Sequence, residues 1–133
     1  MFRRFILLVG LALFFTFVHG QAYMIDGGYF RSLYKQQSSE GKLQMLENPS
    51  YGTFKSTSGW KDGKYYLLIN DVLPGTVVKI ECPKTNKVIY AKVLGTLVQA
   101  KENEGLTLRV SNAALDALGL TDAAGLLQLT WNN

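Results

Sequence analysis

The chain has 133 residues, of which 14 are Lys or Arg and 10 are Asp or Glu, giving a formal charge of +4, and it holds one histidine, His19, and one cysteine, Cys82. A single cysteine excludes an intrachain disulfide. Basic residues scattered from Arg31 to Arg109 form no dense stripe of the kind a phosphate backbone rewards, so nucleic acid is not an expected partner.

Met1-Phe2-Arg3-Arg4 is a positively charged start, and Phe5 to Val18 is an apolar run interrupted by Gly10 and Thr16. Val18-His19-Gly20 then places small or medium residues ahead of polar Gln21, which reads as a secretory signal peptide over residues 1–20, cleaved after Gly20. The run is shorter than the roughly 20 apolar residues a bilayer-spanning helix needs, so the processed chain is expected in the periplasm or outside the cell and not across a membrane. Processing leaves 113 residues, enough for one domain, and removes Arg3 and Arg4, so the charge falls to +2. It also removes His19. Ser-His-Asp and Cys-His catalysis then have no imidazole, and neither a metal nor a cofactor is expected. Cys82 before Pro83 reads as a small buried hydrophobe, and no cysteine follows the apolar run to carry a lipid.

Residues 21–50 are mixed in character: Gly27-Gly28 and Gln36-Gln37-Ser38-Ser39 are loop-like, and only Tyr29 to Tyr34 offers aromatics to pack. The expectation is an irregular arm before a domain over 51–133. After Asn48-Pro49-Ser50 the chain turns to short β-branched and aromatic segments punctuated by turn residues, the texture of a small, mainly β domain. Strands are expected over Tyr65–Asn70, Thr76–Cys82, Val88–Leu94, Leu106–Val110 and Leu126–Trp131. The second and third should pair antiparallel across the Pro83–Lys87 turn. One short helix, Asn112–Leu118, is expected after an N-cap at Ser111 or Asn112, with Gly119 as its stop.

Three segments together, Leu73-Pro74-Gly75-Thr76-Val77-Val78-Lys79-Ile80, Val88-Ile89-Tyr90-Ala91-Lys92-Val93 and Ser111-Asn112-Ala113-Ala114-Leu115-Asp116-Ala117-Leu118-Gly119-Leu120, resemble the rare lipoprotein A family. That family reads roughly LPfGTxVxVTN, gksVxVrVNDRGP and iDLSxAAAxALGl in the same order. The likeness covers about Tyr51 to Trp131, and the helical segment is its most specific part. It implies a six-stranded double-psi β-barrel with one short helix, exported to the periplasm and binding peptidoglycan, in some members as a lytic transglycosylase. The family's catalytic histidine falls on Asn70 here, its catalytic aspartate on Gly95 or Leu94, and the aspartate of its helix motif on Arg109. A lytic transglycosylase needs a positioned acid at the glycosidic oxygen, and glycine supplies none.

Asp71 is the carboxylate nearest the family's histidine position and is either a relocated acid or, with Asn70, a turn residue. Glu102 and Glu104 are either a paired-carboxylate site or a solvated loop. For glycan binding the candidates are Trp60, Tyr66, Asn70, Tyr90, Lys92 and Arg109. Trp60 leads, since no strand pattern claims its ring for the core. Tyr66 and Tyr90 have packing as an equal reading, and Lys92 and Arg109 have sheet solubility as theirs. The expected function is a non-catalytic peptidoglycan- or glycan-binding or structural module of the envelope. The alternatives are a lytic transglycosylase with relocated carboxylates, and a protein-interaction module that docks an envelope partner through Tyr29-Phe30-Arg31-Ser32-Leu33-Tyr34. Mass spectrometry of exported protein should find Gln21 as the first residue; a mass that retains Phe5 to Val18 would refute the processing site.

Overall fold

The computed structural model describes residues 26–133. The expected signal peptide and the first residues of the arm lie outside this range. Among the described residues no helix is long and apolar enough to cross a membrane.

In chain order the elements are α1 (Arg31–Gln37), β1 (Leu43–Glu47), β2 (Tyr51–Phe54), β3 (Tyr65–Ile69), β4 (Val77–Cys82), β5 (Lys87–Gly95), a 3₁₀ turn (Lys101–Asn103), β6 (Leu108–Ser111), α2 (Asn112–Ala117) and β7 (Gln128–Asn132). The strands form one curled sheet in the order β1-β7-β4-β5-β3-β6-β2. Two pairs are parallel, β2 with β6 and β3 with β5, and the rest are antiparallel. The expected antiparallel pairing of β4 and β5 is present, with Ile80 opposite Ile89.

Alternation along the strands drives the curl. Ile80 lies between Ile89 on β5 and Leu129 on β7, and Leu129 in turn faces Leu46 on β1, so one apolar row crosses four strands on the inner face. Leu67, Ile80, Leu108, Leu118, Leu127 and Leu129 are fully buried there. Each such side chain contributes about 1.5–3 kcal/mol relative to exposure. α2 closes the core with Ala113, Ala114 and Leu115. Asn112 Oδ1 accepts from Ala113 N and from Ser56 N, both at 3.0 Å, which ties the helix start to the preceding loop. Gly119 ends the helix at φ +78°, with Leu120 N donating to Leu115 O at 3.1 Å, as a C′ glycine should.

The arm differs from its expectation as irregular chain. It holds a second short helix, α1, and an additional strand, β1, so the sheet has seven strand segments. Seven residues are too few for a helix to stand alone in water. α1 exists because it lies on the sheet: Phe30 is buried, Tyr34 stacks on Tyr90 at 5.0 Å, and the Gln37 carboxamide donates to Gly75 O (3.1 Å) and accepts from Val77 N (2.8 Å). β1 likewise takes its hydrogen bonds from β7, a partner more than 80 residues away in sequence.

Leu67→Ala should lower unfolding free energy by about 2–5 kcal/mol in urea titration, because the fully buried site cannot collapse completely around the lost atoms. Leu73→Ala, at a residue 76% exposed, should stay within about 0.5 kcal/mol of the parent.

Candidate functional site

The structure divides the sequence candidates among three places. Asn70, Asp71, Gly95, Glu102, Glu104 and Arg109 belong to the end of the sheet where β3 and β5 finish. Asn70 is committed to the turn, its Oδ1 accepting from Leu97 N at 3.1 Å. Asp71 is exposed with a φ of +66°, a left-handed conformation that Asp and Asn tolerate in tight turns. Its place in the turn therefore accounts for it without chemistry. Arg109 directs all three nitrogens of its guanidinium at the 95–105 loop and at β2: Nε donates to Asn103 Oδ1 (2.6 Å), Nη1 to Thr53 O (2.7 Å) and Nη2 to Glu102 O (2.9 Å). The cation is a clamp and has little left to offer a ligand carboxylate. Glu102 enters this clamp through its carbonyl oxygen, and both its side chain and that of Glu104 are exposed. A catalytic acid is ordinarily tuned by burial; Glu104 lines an open cleft of ≈ 450 Å³ with Asn70, Leu97 and Val98, but its side chain is exposed, as are those of Asp71 and Glu102.

Tyr66, Tyr90 and Lys92 lie on the outer face of β3 and β5, under the arm. Tyr66 meets Phe30 edge to face at 5.4 Å, Lys92 Nζ stands 5.7 Å from the Phe30 ring centre, and Tyr90 carries Tyr34. These side chains dock α1, and they do not join Trp60. The arm segment Tyr29–Tyr34 thus uses Phe30 and Tyr34 on its own sheet and leaves Tyr29 outside.

The third place is the opposite end of β3 and β5, where Trp60 lies. The two ends are separated by the length of β3, five residues or roughly 17 Å. Here a groove of ≈ 860 Å³ runs between three segments: Asp26 to Tyr29 of the arm, the loop Gly59 to Gly63, and the hairpin strand from Asn86 to Ile89. β5 begins before β3 does, so its early residues lack a neighbour on that side. The arm supplies one, Tyr90 N donating to Gly27 O (2.9 Å) and Tyr29 N to Gly63 O (3.0 Å). The loop holds itself. Asp62 Oδ1 accepts from Gly59 N (2.6 Å) and Lys64 N (3.0 Å), and Trp60 Nε1 donates to Ser56 O (3.0 Å). The Lys64 and Gly59 N–H groups lower the pKa of the Asp62 carboxyl from its ordinary value.

With its N–H satisfied by Ser56 O, the Trp60 ring is still 52% exposed, and Tyr29 across the arm is 55% exposed. Lys64 Nζ sits 4.8 Å from the Tyr29 ring centre. The result is a groove edged by two flat aromatic groups, with Asp26, Lys61, Asn86 and Lys87 as polar rim. Such a surface suits a ligand with an apolar face and polar edges. Trp60 was legible in the sequence. Tyr29 stands out in the sequence only within the Tyr29–Tyr34 segment expected to dock a partner, and Asn86 and Lys87 only as part of a turn; the arm beside them carries the Gly27-Gly28 doublet.

That doublet is required by close approach. A Cβ on Gly27 would lie 2.5 Å from Tyr90 Cε2, and one on Gly28 would lie 2.5 Å from the Gly63 carbonyl oxygen, with φ +85° and +97° respectively. Gly75 has a similar φ of +92° but open space around it. Gly75→Ala should therefore cost only backbone strain, about 1–3 kcal/mol, while Gly28→Ala should cost measurably more in urea titration, because a backbone oxygen must also move. Equal losses would mean that the arm does not press on the loop. No protein-family model matches the chain and no curated protein matches it significantly, so the roles of these residues rest on the geometry of this chain and on the sequence resemblance.

Proposed function

We propose that this chain is an exported envelope module that binds peptidoglycan or a related glycan without cleaving it, and that the Trp60–Tyr29 groove is its binding surface. The observation that carries the reading is the pair of half-exposed aromatic rings on one groove, Trp60 tethered through its Nε1 to Ser56 O, remote from the end where the resembling family keeps its catalytic residues. Sugar rings present an axial C–H face to an aromatic plane and hydroxyls to a polar rim, and the groove offers both. What favours binding over turnover is the condition of the other end, where Asp71 serves a turn, Arg109 serves a loop and Glu102 and Glu104 are solvated.

The double-psi barrel reading belongs to the same proposal. It is supported by counting β1 and β2 as one strand kinked at Asn48-Pro49-Ser50: its first half pairs with β7 and its second with β6, so six strands return on themselves. Asn48 N donating to Leu127 O (2.8 Å) and Thr107 N donating to Ser50 O (2.7 Å) tie the kink to both sides.

In a sedimentation assay with purified peptidoglycan, the exported protein should pellet with the polymer and release no soluble muropeptide. Trp60→Ala and Tyr29→Ala should each weaken pelleting by between about 2- and 10-fold, the value of one aromatic contact. Release of anhydromuramyl products that is lost in Asp71→Asn would overturn the non-catalytic half, and unchanged pelleting in both aromatic variants would overturn the groove.

A further inference from the structure

The Trp60–Tyr29 groove is one of two clefts that meet at the tip of the β4–β5 hairpin. The other, of ≈ 700 Å³, lies between Pro83 to Thr85, the chain from Gly119 to Leu126 after α2, and the corner at Glu47 and Asn48. The ridge between the clefts is where the tip touches the helix end, Thr85 Oγ1 donating to Leu118 O at 2.7 Å. Gly119 keeps the ridge low, being exposed and without a side chain. The side chain of Lys87, a residue of the first groove, crosses it: its Cδ and Nζ each lie 3.6 Å from where a Cβ on Gly119 would stand. Helix capping does not account for this cation. Leu115 O accepts from Leu120 N, Asp116 O from Gly119 N and Leu118 O from Thr85 Oγ1, and Lys87 Nζ bonds to none of these oxygens. Among the described residues the salt bridge is Lys79–Glu81 on β4, which leaves Lys84 and Lys87 without a carboxylate partner. No acid occurs from Pro83 to Tyr90, so the tip between the two clefts is cationic.

From this geometry we infer that the two clefts are one continuous site for a glycan chain that crosses the hairpin tip and places a carboxylate substituent over Lys87. The inference rests on the glycan reading of the Trp60–Tyr29 groove and adds to it a length requirement and a charge requirement. Each cleft has the size that takes a single compact ligand, so a short fragment fills one and only a longer chain gains from both. Sugar rings lie on Trp60 and Tyr29 in the first cleft and on the exposed Leu126 in the second. Acids stand elsewhere on the rims, Asp26 and Asp62 in the first cleft and Glu47 and Asp122 in the second, all beyond ion-pair distance of Lys84 and Lys87. They accept hydrogen bonds from sugar hydroxyls and repel a carboxylate, so the anionic substituent has one favoured place, at the tip, and the chain one favoured register.

Calorimetric titration of the exported protein with a disaccharide and an octasaccharide of the peptidoglycan glycan tests the inference. The octasaccharide should bind at least several-fold more tightly, and Leu126→Ala should weaken it while leaving the disaccharide unchanged. Trp60→Ala should weaken both lengths. Lys87→Ala, and methyl esterification of the octasaccharide's carboxylates, should each lower its affinity by about 2- to 5-fold, the value of one exposed ion pair, and the two losses should not add when combined. Equal affinity for the two lengths, or a Lys87→Ala loss that persists in full with the esterified chain, would overturn the continuous site and leave the Trp60 groove standing. Octasaccharide binding that is indifferent to Trp60→Ala would overturn the groove reading, and this site with it.

Discussion

Three residues, Asn48, Pro49 and Ser50, join the two terminal strands of the seven-stranded sheet, and the rest of the structure depends on that short tether. Laid flat, strands at the two ends of such a sheet would stand about 29 Å apart, at roughly 4.8 Å per spacing. The backbone from Glu47 to Tyr51 reaches at most about 14 Å. The sheet therefore has to curl until its edges approach, and the curl creates an inside for Leu67, Ile80, Leu108 and Leu129 to fill. Asn48 accommodates the corner with a φ of +50°, and Pro49 donates no N–H that a continuous strand would have needed to pair.

Curling a sheet of short strands leaves two ends with different fates. At one end the loops after β3 and β5 are stitched together by Asn70 and by the Arg109 fork, so these polar side chains are consumed in ordering the backbone. A guanidinium with three satisfied bonds inside its own domain is costly to redirect, since each partner it abandons would have to be hydrated or re-paired. At the other end β5 outruns β3, and the arm fills the vacancy with two glycines. The groove is the by-product of that substitution, because a two-residue pairing cannot fill the space of a full strand.

The arm is therefore both structural support and part of the site. Its grip comes from outside the core: an amide of Gln37 that mimics a neighbouring strand, the Phe30 and Tyr34 rings on the outer face, and Asn132 Nδ2 donating to Ser38 O and Glu40 O near the chain end. These are contacts of high sequence separation, and losing α1 would open the groove and bare Tyr66 and Tyr90 together.

The sequence alone accounts for the strands from Tyr65 onward, the α2 segment with its glycine stop, and the Asn70-Asp71 turn. Each of these is written in local chemistry: alternation, capping, and residues that tolerate positive φ. It also singled out Trp60, through the absence of any pattern that would bury it. That residues 31–47 of the arm form a helix and a strand, that Tyr66, Tyr90 and Lys92 serve its docking, and that Arg109 is a clamp all follow from long-range contacts. The reason is physical. α1 is too short to hold without the sheet, β1 has no ladder without β7, and the partners of Arg109 lie in Thr53 and the 102–103 turn, which no periodicity links to it. Local signals report what a segment prefers, whereas the contacts that assign its work come from strands brought together by the curl.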